Sequence, residues 1–197
     1  MACYRWHSYY RRNITNSEAE KGEGKMIKWL LAGIAVREGI QQAIELKERR
    51  QVFNQARDYS DSVGKPLLVI GTPKWRFSHP CGDVTIDISP ERAEFCDGLV
   101  ADIREIPYPT GYFGAAFASH VVEHLATVED AKTAFDEMER VADRVFVVSP
   151  HKSSLMAWIV PGHHLWVTPS GDGYIVEQRG NGSLPKEESY VISMEVV

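Results

Sequence analysis

Hydrophobic positions along this chain change their rhythm at about residue 65. Before it, a dense apolar block, MIKWLLAGIAV (26–36), is followed by Ile40, Ala43, Ile44, Val52, Phe53 and Ala56 at helical spacing. This pattern predicts one or two helices across 26–60, and Glu45 and Arg49 add an i,i+4 pair of favourable orientation. After it, short β-rich runs appear at 67–70, 84–88, 99–103, 115–119 and 145–149. An amphipathic helix separates the last two. Thr127 can cap it with Asp130 three residues on, and Val128, Ala131, Phe135, Met138 and Val141 make its apolar face.

Strands alternating with helices imply a largely parallel sheet covered by helices. The stretch GYIVEQRGNGSLPKEESYVISMEVV reads as two strands around a Gly/Pro/Asn-rich loop, an antiparallel hairpin that should finish the sheet. The expected architecture is therefore α/β, Rossmann-like, mostly parallel with a C-terminal antiparallel hairpin and an N-terminal helical extension. The expected segments are a flexible leader (1–25), a helical extension (26–62) and an α/β domain (63–197). The first two inter-strand connections are short, and Pro73, Pro80 and Gly82 break any helix in the first. Stubs or loops are expected there.

Composition narrows the class. Apolar content of 44% and charged content of 25% suit a globular protein with a core. A net charge of -5 gives no general pull toward nucleic acid or anionic membrane. The leader YRWHSYYRR could stack on and neutralise a nucleic acid, but it is short and a polar, linker-like stretch follows it. The 26–36 block is about half the length that spans a bilayer, and it lacks a signal-peptide cleavage site. It suits contact with a membrane surface or a partner helix. Cys3, Cys81 and Cys96 are too few and scattered for a disulfide framework, which points to a reducing, cytoplasmic setting.

In open α/β sheets, ligands bind beyond the carboxyl ends of the strands. Gly71 ends the first predicted strand and lets a ligand approach the backbone. Asp87 ends the second and can accept two hydrogen bonds from a ribose diol; Asp102 ends the third and can accept from an exocyclic amine. Each also has a capping alternative. His120 and His124 are four apart, the spacing of a helical metal pair, but His120 lies near a strand end, so no metal is expected. His120, His124 and His151 are candidate general bases, and with His163 and His164 they can converge over one mouth.

VTIDISPE, LVADIREIPYPTGYFGAAFASHVVEHL and AFDEMERVADRVFVVSP together resemble the class I S-adenosylmethionine-dependent methyltransferases of the small-molecule "type 11" kind. The resemblance covers about residues 66–168. It implies that Asp87 binds the cofactor ribose, Ile88 packs on the adenine, and Asp102 binds the adenine amine with the Ile103 backbone beside it. Ser119 and His120 would border the methionine moiety, and the EHL tripeptide is explained without a metal. Two departures stand out. The family's glycine-rich loop is reduced to Gly71, followed by Thr72, Pro73, Lys74 and Trp75, so Lys74 would meet the cofactor carboxylate as a point charge. The acid after Phe113 in the family's block is Gly114.

The expectation is methyl transfer from S-adenosylmethionine to an oxygen or nitrogen of a small molecule or glycan. The altered loop and the short connections also fit a non-catalytic binding or assembly module of the same fold. A nucleic-acid methyltransferase using the basic-aromatic leader is opposed by the acidic body.

Overall fold

A computed structural model describes the backbone of residues 3–73, 79–171, 173–180 and 189–193, and the side chains from 26 to 73, 79 to 171 and 173 to 180. Lys74, the leader's side chains and the 181–188 loop lie outside the described residues. A single helix, α1 (Cys3–Val63), covers the region expected to hold one or two, and it begins inside the expected leader. Two compact units divide within it, one ending at Gln41 and the other beginning at Gln42. In the first, Trp29, Leu30, Leu31, Ile34 and Val36 are exposed. No described helix is long and apolar enough to cross a membrane.

The second unit is built on five parallel strands: β1 (Leu67–Ile70), β2 (Val84–Asp87), β3 (Leu99–Val100), β4 (Phe113–Ser119) and β5 (Ala142–Val148). Their order is β3-β2-β1-β4-β5, so chain direction across the sheet reverses between β1 and β4. Both faces are covered, which is why these strands read as continuous apolar runs. Leu67, Val69, Ala115 and Phe117 face Phe53 and Ala56 of α1. Leu68, Ile70, Ala116 and Ala118 face Phe135, Met138 and Val141 of α3 (Val128–Val141).

The predicted α3 cap is present: Asp130 N donates to Thr127 Oγ1 at 3.0 Å. Arg140, in its last turn, donates to the carbonyls of Ile106 and Tyr108 at 2.8 Å and pairs with Glu137, clamping the chain that enters β4. The short connections are as expected: β2 leads to a six-residue stub, α2 (Pro90–Phe95), and the described residues between β1 and β2 form no helix.

Two expectations need correction. The C-terminal hairpin does not finish the main sheet. After α4 (Leu155–Ile159), β6 (Leu165–Ser170), β7 (Gly173–Gln178) and β8 (Ser189–Ser193) form a separate antiparallel sheet, β6-β7-β8. The segment that carries His163 and His164 runs directly into β6, whose residues Leu165, Trp166 and Val167 are buried.

Second, Cys81 and Cys96 are joined by a disulfide across 15 residues of chain. The argument for a reducing setting therefore falls. The crosslink ties the connection before β2 to the end of α2.

Gly114, which stands where the family's block has an acid, is a packing position. A Cβ there would lie 2.8 Å from Ser60 Cα and 2.9 Å from Val63 Cγ2, so α1 can approach β4 only over glycine. Gly114→Ala should cost about 1–3 kcal/mol, the usual penalty for overpacking, read from urea unfolding midpoints. The Cys81→Ser/Cys96→Ser pair should lose about 3 kcal/mol on a chain-entropy account of a 15-residue loop. The check is thermal unfolding with and without reductant, where only the parent chain should respond.

Candidate functional site

The carboxyl ends of β1, β2 and β4 open into a cavity of about 410 Å³ at the strand-order reversal. Its wall includes Gly71, Thr72, Asp87, Ile88, Asp102, Ile103, Ser119, His120 and His124. Nine of the eleven candidate residues thus come to one place. Lys74 lies outside the described residues, and His151 does not line this cavity. His151 is exposed, with its Nδ1 2.7 Å from the Ser153 hydroxyl.

Gly71 has φ of +82°, the left-handed region that favours glycine, and a Cβ there would come within 2.4 Å of Val121 Cγ2. Asp87 is buried at 7% exposure. Its Oδ2 accepts from Thr72 N at 2.8 Å and its Oδ1 from Ser89 N at 2.9 Å. One carboxylate therefore shapes both the turn after β1 and the entry to α2. A carboxylate has about four lone-pair sites, so about two remain for a ligand. The turn is braced again where Thr72 Oγ1 donates to the Arg92 carbonyl at 2.9 Å.

Asp102 differs. Arg104 donates to it from the backbone N (2.9 Å) and from the guanidinium (2.7 Å at Oδ2). These bonds hold the Asp102 carboxyl below its usual range. Arg104 reaches on to Asp130 at 2.7 Å. The acid predicted to meet an exocyclic amine is already paired with a cation on the cavity wall.

At the end of β4 the chain turns sharply, with His120 at φ +55°. Arg49 of α1 donates from NH2 to His120 Nδ1 at 3.0 Å. A guanidinium cannot accept, so Nδ1 is the acceptor and Nε2 carries the hydrogen. That Nε2–H is buried without a partner. Burial, then the Arg49 charge, push the His120 pKa down to about 2. His120 is therefore a hydrogen-bond donor and too weak a base for proton abstraction near neutrality. The adjacent Ser119 Oγ is also buried without a partner.

Two contributors were not legible as site residues. Arg49 looked like half of a helix-surface ion pair, and only the docking of α1 brings it to the β4 end. Glu123 was quoted only within the EHL motif. It lies in a 3₁₀ turn (Val122–His124) at 1% exposure, with its Oε2 accepting from Ser149 Oγ at 3.2 Å. Burial pushes its carboxyl up to about 7. Within the cavity, His124 is held below its ordinary pKa by burial, and its Nδ1 faces the Gly162 carbonyl at 2.9 Å.

Residues 78–144 match the model of a family described as a methyltransferase domain. Over that stretch the chain is similar to the methyltransferase domain family. It carries the Asp87, Asp102 and Ser119–His124 positions just described. No curated protein matches the sequence. Among solved structures, similarity is found to the N-methyltransferase NodS from Bradyrhizobium japonicum WM9 bound to S-adenosyl-L-homocysteine. That match has 19% identity and a TM-score of 0.34, and covers 46% of this chain and 55% of that one. A second NodS structure matches at 16% identity and TM-score 0.37, over 66% of this chain and 87% of that one. The PH0226 protein from Pyrococcus horikoshii OT3 matches at 14% identity and TM-score 0.38, over 74% of each chain. The chain spans just over half the length of the first of these structures.

The raised Glu123 pKa has a defined consequence for stability. Between about 4.5 and about 7 the unfolded carboxyl ionises while the folded one keeps its proton. The fold therefore loses stability as pH rises through that window. Glu123→Gln removes this loss. Relative to the parent, the variant should gain up to about 3 kcal/mol between pH 4 and pH 8, at about 1.4 kcal/mol per pK unit. Denaturant unfolding across that range checks it, and parallel curves would refute the assignment.

Proposed function

We propose that this chain is an S-adenosylmethionine-dependent methyltransferase acting on an oxygen or nitrogen of a small molecule or glycan. The observation that carries the reading is the cavity at the sheet's reversal point, where Asp87 and Ser119, both inside the segment similar to a methyltransferase domain, share one space with Gly71. The residues fit the cofactor. Gly71 brings bare backbone to the cavity wall, Asp87 keeps lone pairs free, and Ser119 offers an orphaned hydroxyl.

In this reading Asp87 accepts from the ribose hydroxyls. Ile88, 69% exposed at the rim, packs on the adenine, and the Ile103 backbone lies beside it. Asp102 and Arg104 act as a pair at the adenine edge. Ser119 and the His120 Nε2–H border the methionine end. The cofactor supplies an electrophilic methyl group. The chain supplies alignment, which is most of what such a transfer needs. His124 is the cavity imidazole whose Nδ1 is taken by a carbonyl, leaving its Nε2 lone pair available at the acceptor side.

A second reading, a binding or assembly module of the same fold, is favoured by the Asp102–Arg104 pair, which occupies the carboxylate expected to meet the adenine. Calorimetric titration with S-adenosylhomocysteine separates the two. The first reading expects binding that weakens about tenfold or more in Asp87→Asn, because a hydrogen bond to a charged group is worth about 1.5–3 kcal/mol. No heat at millimolar ligand favours the module; equal affinity in the variant overturns the role of Asp87.

A further inference from the structure

Beside the cavity, Glu123, His124 and His163 each bring one ligand atom to within 4.8 Å of the other two. The two imidazoles meet edge-on with ring centroids 4.7 Å apart. Nδ1 of His124 faces the Gly162 carbonyl at 2.9 Å, and Nδ1 of His163 faces the Ala157 carbonyl at 3.1 Å. A carbonyl only accepts, so each Nδ1 carries the hydrogen and each Nε2 keeps its lone pair. Glu123 Oε1 is buried and has no hydrogen-bond partner.

The cluster thus sets a buried, unpartnered carboxyl oxygen beside two imidazoles, one exposed and one half-buried. A buried polar oxygen left that way is costly, and a cation bound there relieves it. We propose that Glu123, His124 and His163 bind a divalent transition-metal ion of the zinc type. Two imidazoles and a carboxylate are a donor set for such ions. Hydrogen bonds from Nδ1 to main-chain carbonyls are the outer contacts that orient metal-binding imidazoles.

At metal–ligand bonds of about 2.0–2.2 Å, ligand atoms of a tetrahedral site sit about 3.4 Å apart. The three groups therefore close inward by about 1 Å on binding, within reach of side-chain torsions. Three protein ligands leave a coordination position open. His124 lines the cavity, so that position serves the acceptor side of the mouth. That the position receives an acceptor's oxygen rests on the methyltransferase reading; metal binding itself does not.

The test uses the full chain and two metals: cobalt(II), followed by visible absorption, and zinc(II), followed by calorimetry. The expected result is one saturable cobalt site per chain, displaced by zinc. His163→Ala and His124→Ala should each weaken binding at least tenfold, and His164→Ala, an exposed neighbour, should leave it unchanged. His163 is only partly buried, so its variant should keep the parent's circular dichroism and remains informative even if Glu123→Gln does not fold. Absence of saturable binding, or equal binding by His163→Ala and the parent, overturns the proposal. Either outcome leaves the S-adenosylhomocysteine titration free to stand or fall alone.

Discussion

The two amide bonds received by the Asp87 carboxylate organise the mouth of this protein. A parallel sheet gathers its strand ends at one edge, but the connections leaving that edge must still be held in place. A helix after β1 usually does this, its first turn directing backbone amides at the ligand. The described residues after β1 form no helix, and Pro73 offers no amide. Asp87 reaches across instead and fixes Thr72 N and Ser89 N. The Cys81–Cys96 crosslink closes the same region covalently. Thr72, just after the single glycine at 71, is thus held by a side chain rather than by a helix start.

The second constraint is the close seat of α1 on β4. Glycine at 114 lets the Ser60 backbone approach within reach of the strand. That approach buries Phe53 and Ala56 against the sheet and lays the preceding turns of the helix along the strand ends. Arg49 then falls against His120, and the Glu45 carboxylate lies 3.4 Å from the His151 amide. One helix therefore covers a face of the core and furnishes part of the site.

The interior polar groups at the β4 end follow from these two arrangements. Low local dielectric makes each unpaired atom expensive, so such groups either find partners or mark places where a ligand completes them. Arg49 settles the tautomer of His120 and removes it as a base. Glu123, with one oxygen satisfied and the other orphaned, resists ionisation. The mouth thus presents donors on one side, at Ser119 and His120, and an acceptor on the other, at His124.

The residue pattern alone determined the local elements. Period-two and continuous apolar runs announced the five parallel strands. Thr127 with Asp130, and the Val128–Val141 face, announced α3. Prolines and glycines announced the short connections, and acids at strand ends drew attention to Asp87 and Asp102. These signals are legible because each arises from neighbours in sequence. What the fold alone decided depends on distant residues meeting. The separate β6-β7-β8 sheet, the pairing of Cys81 with Cys96 and the packing reason for Gly114 are of this kind. So are the capture of Asp102 by Arg104, the reach of Arg49 to His120, and the meeting of Glu123, His124 and His163. Periodicity reports which face of an element is buried; it carries no information about which other element lies against that face, and the chemistry of this site is set by those contacts.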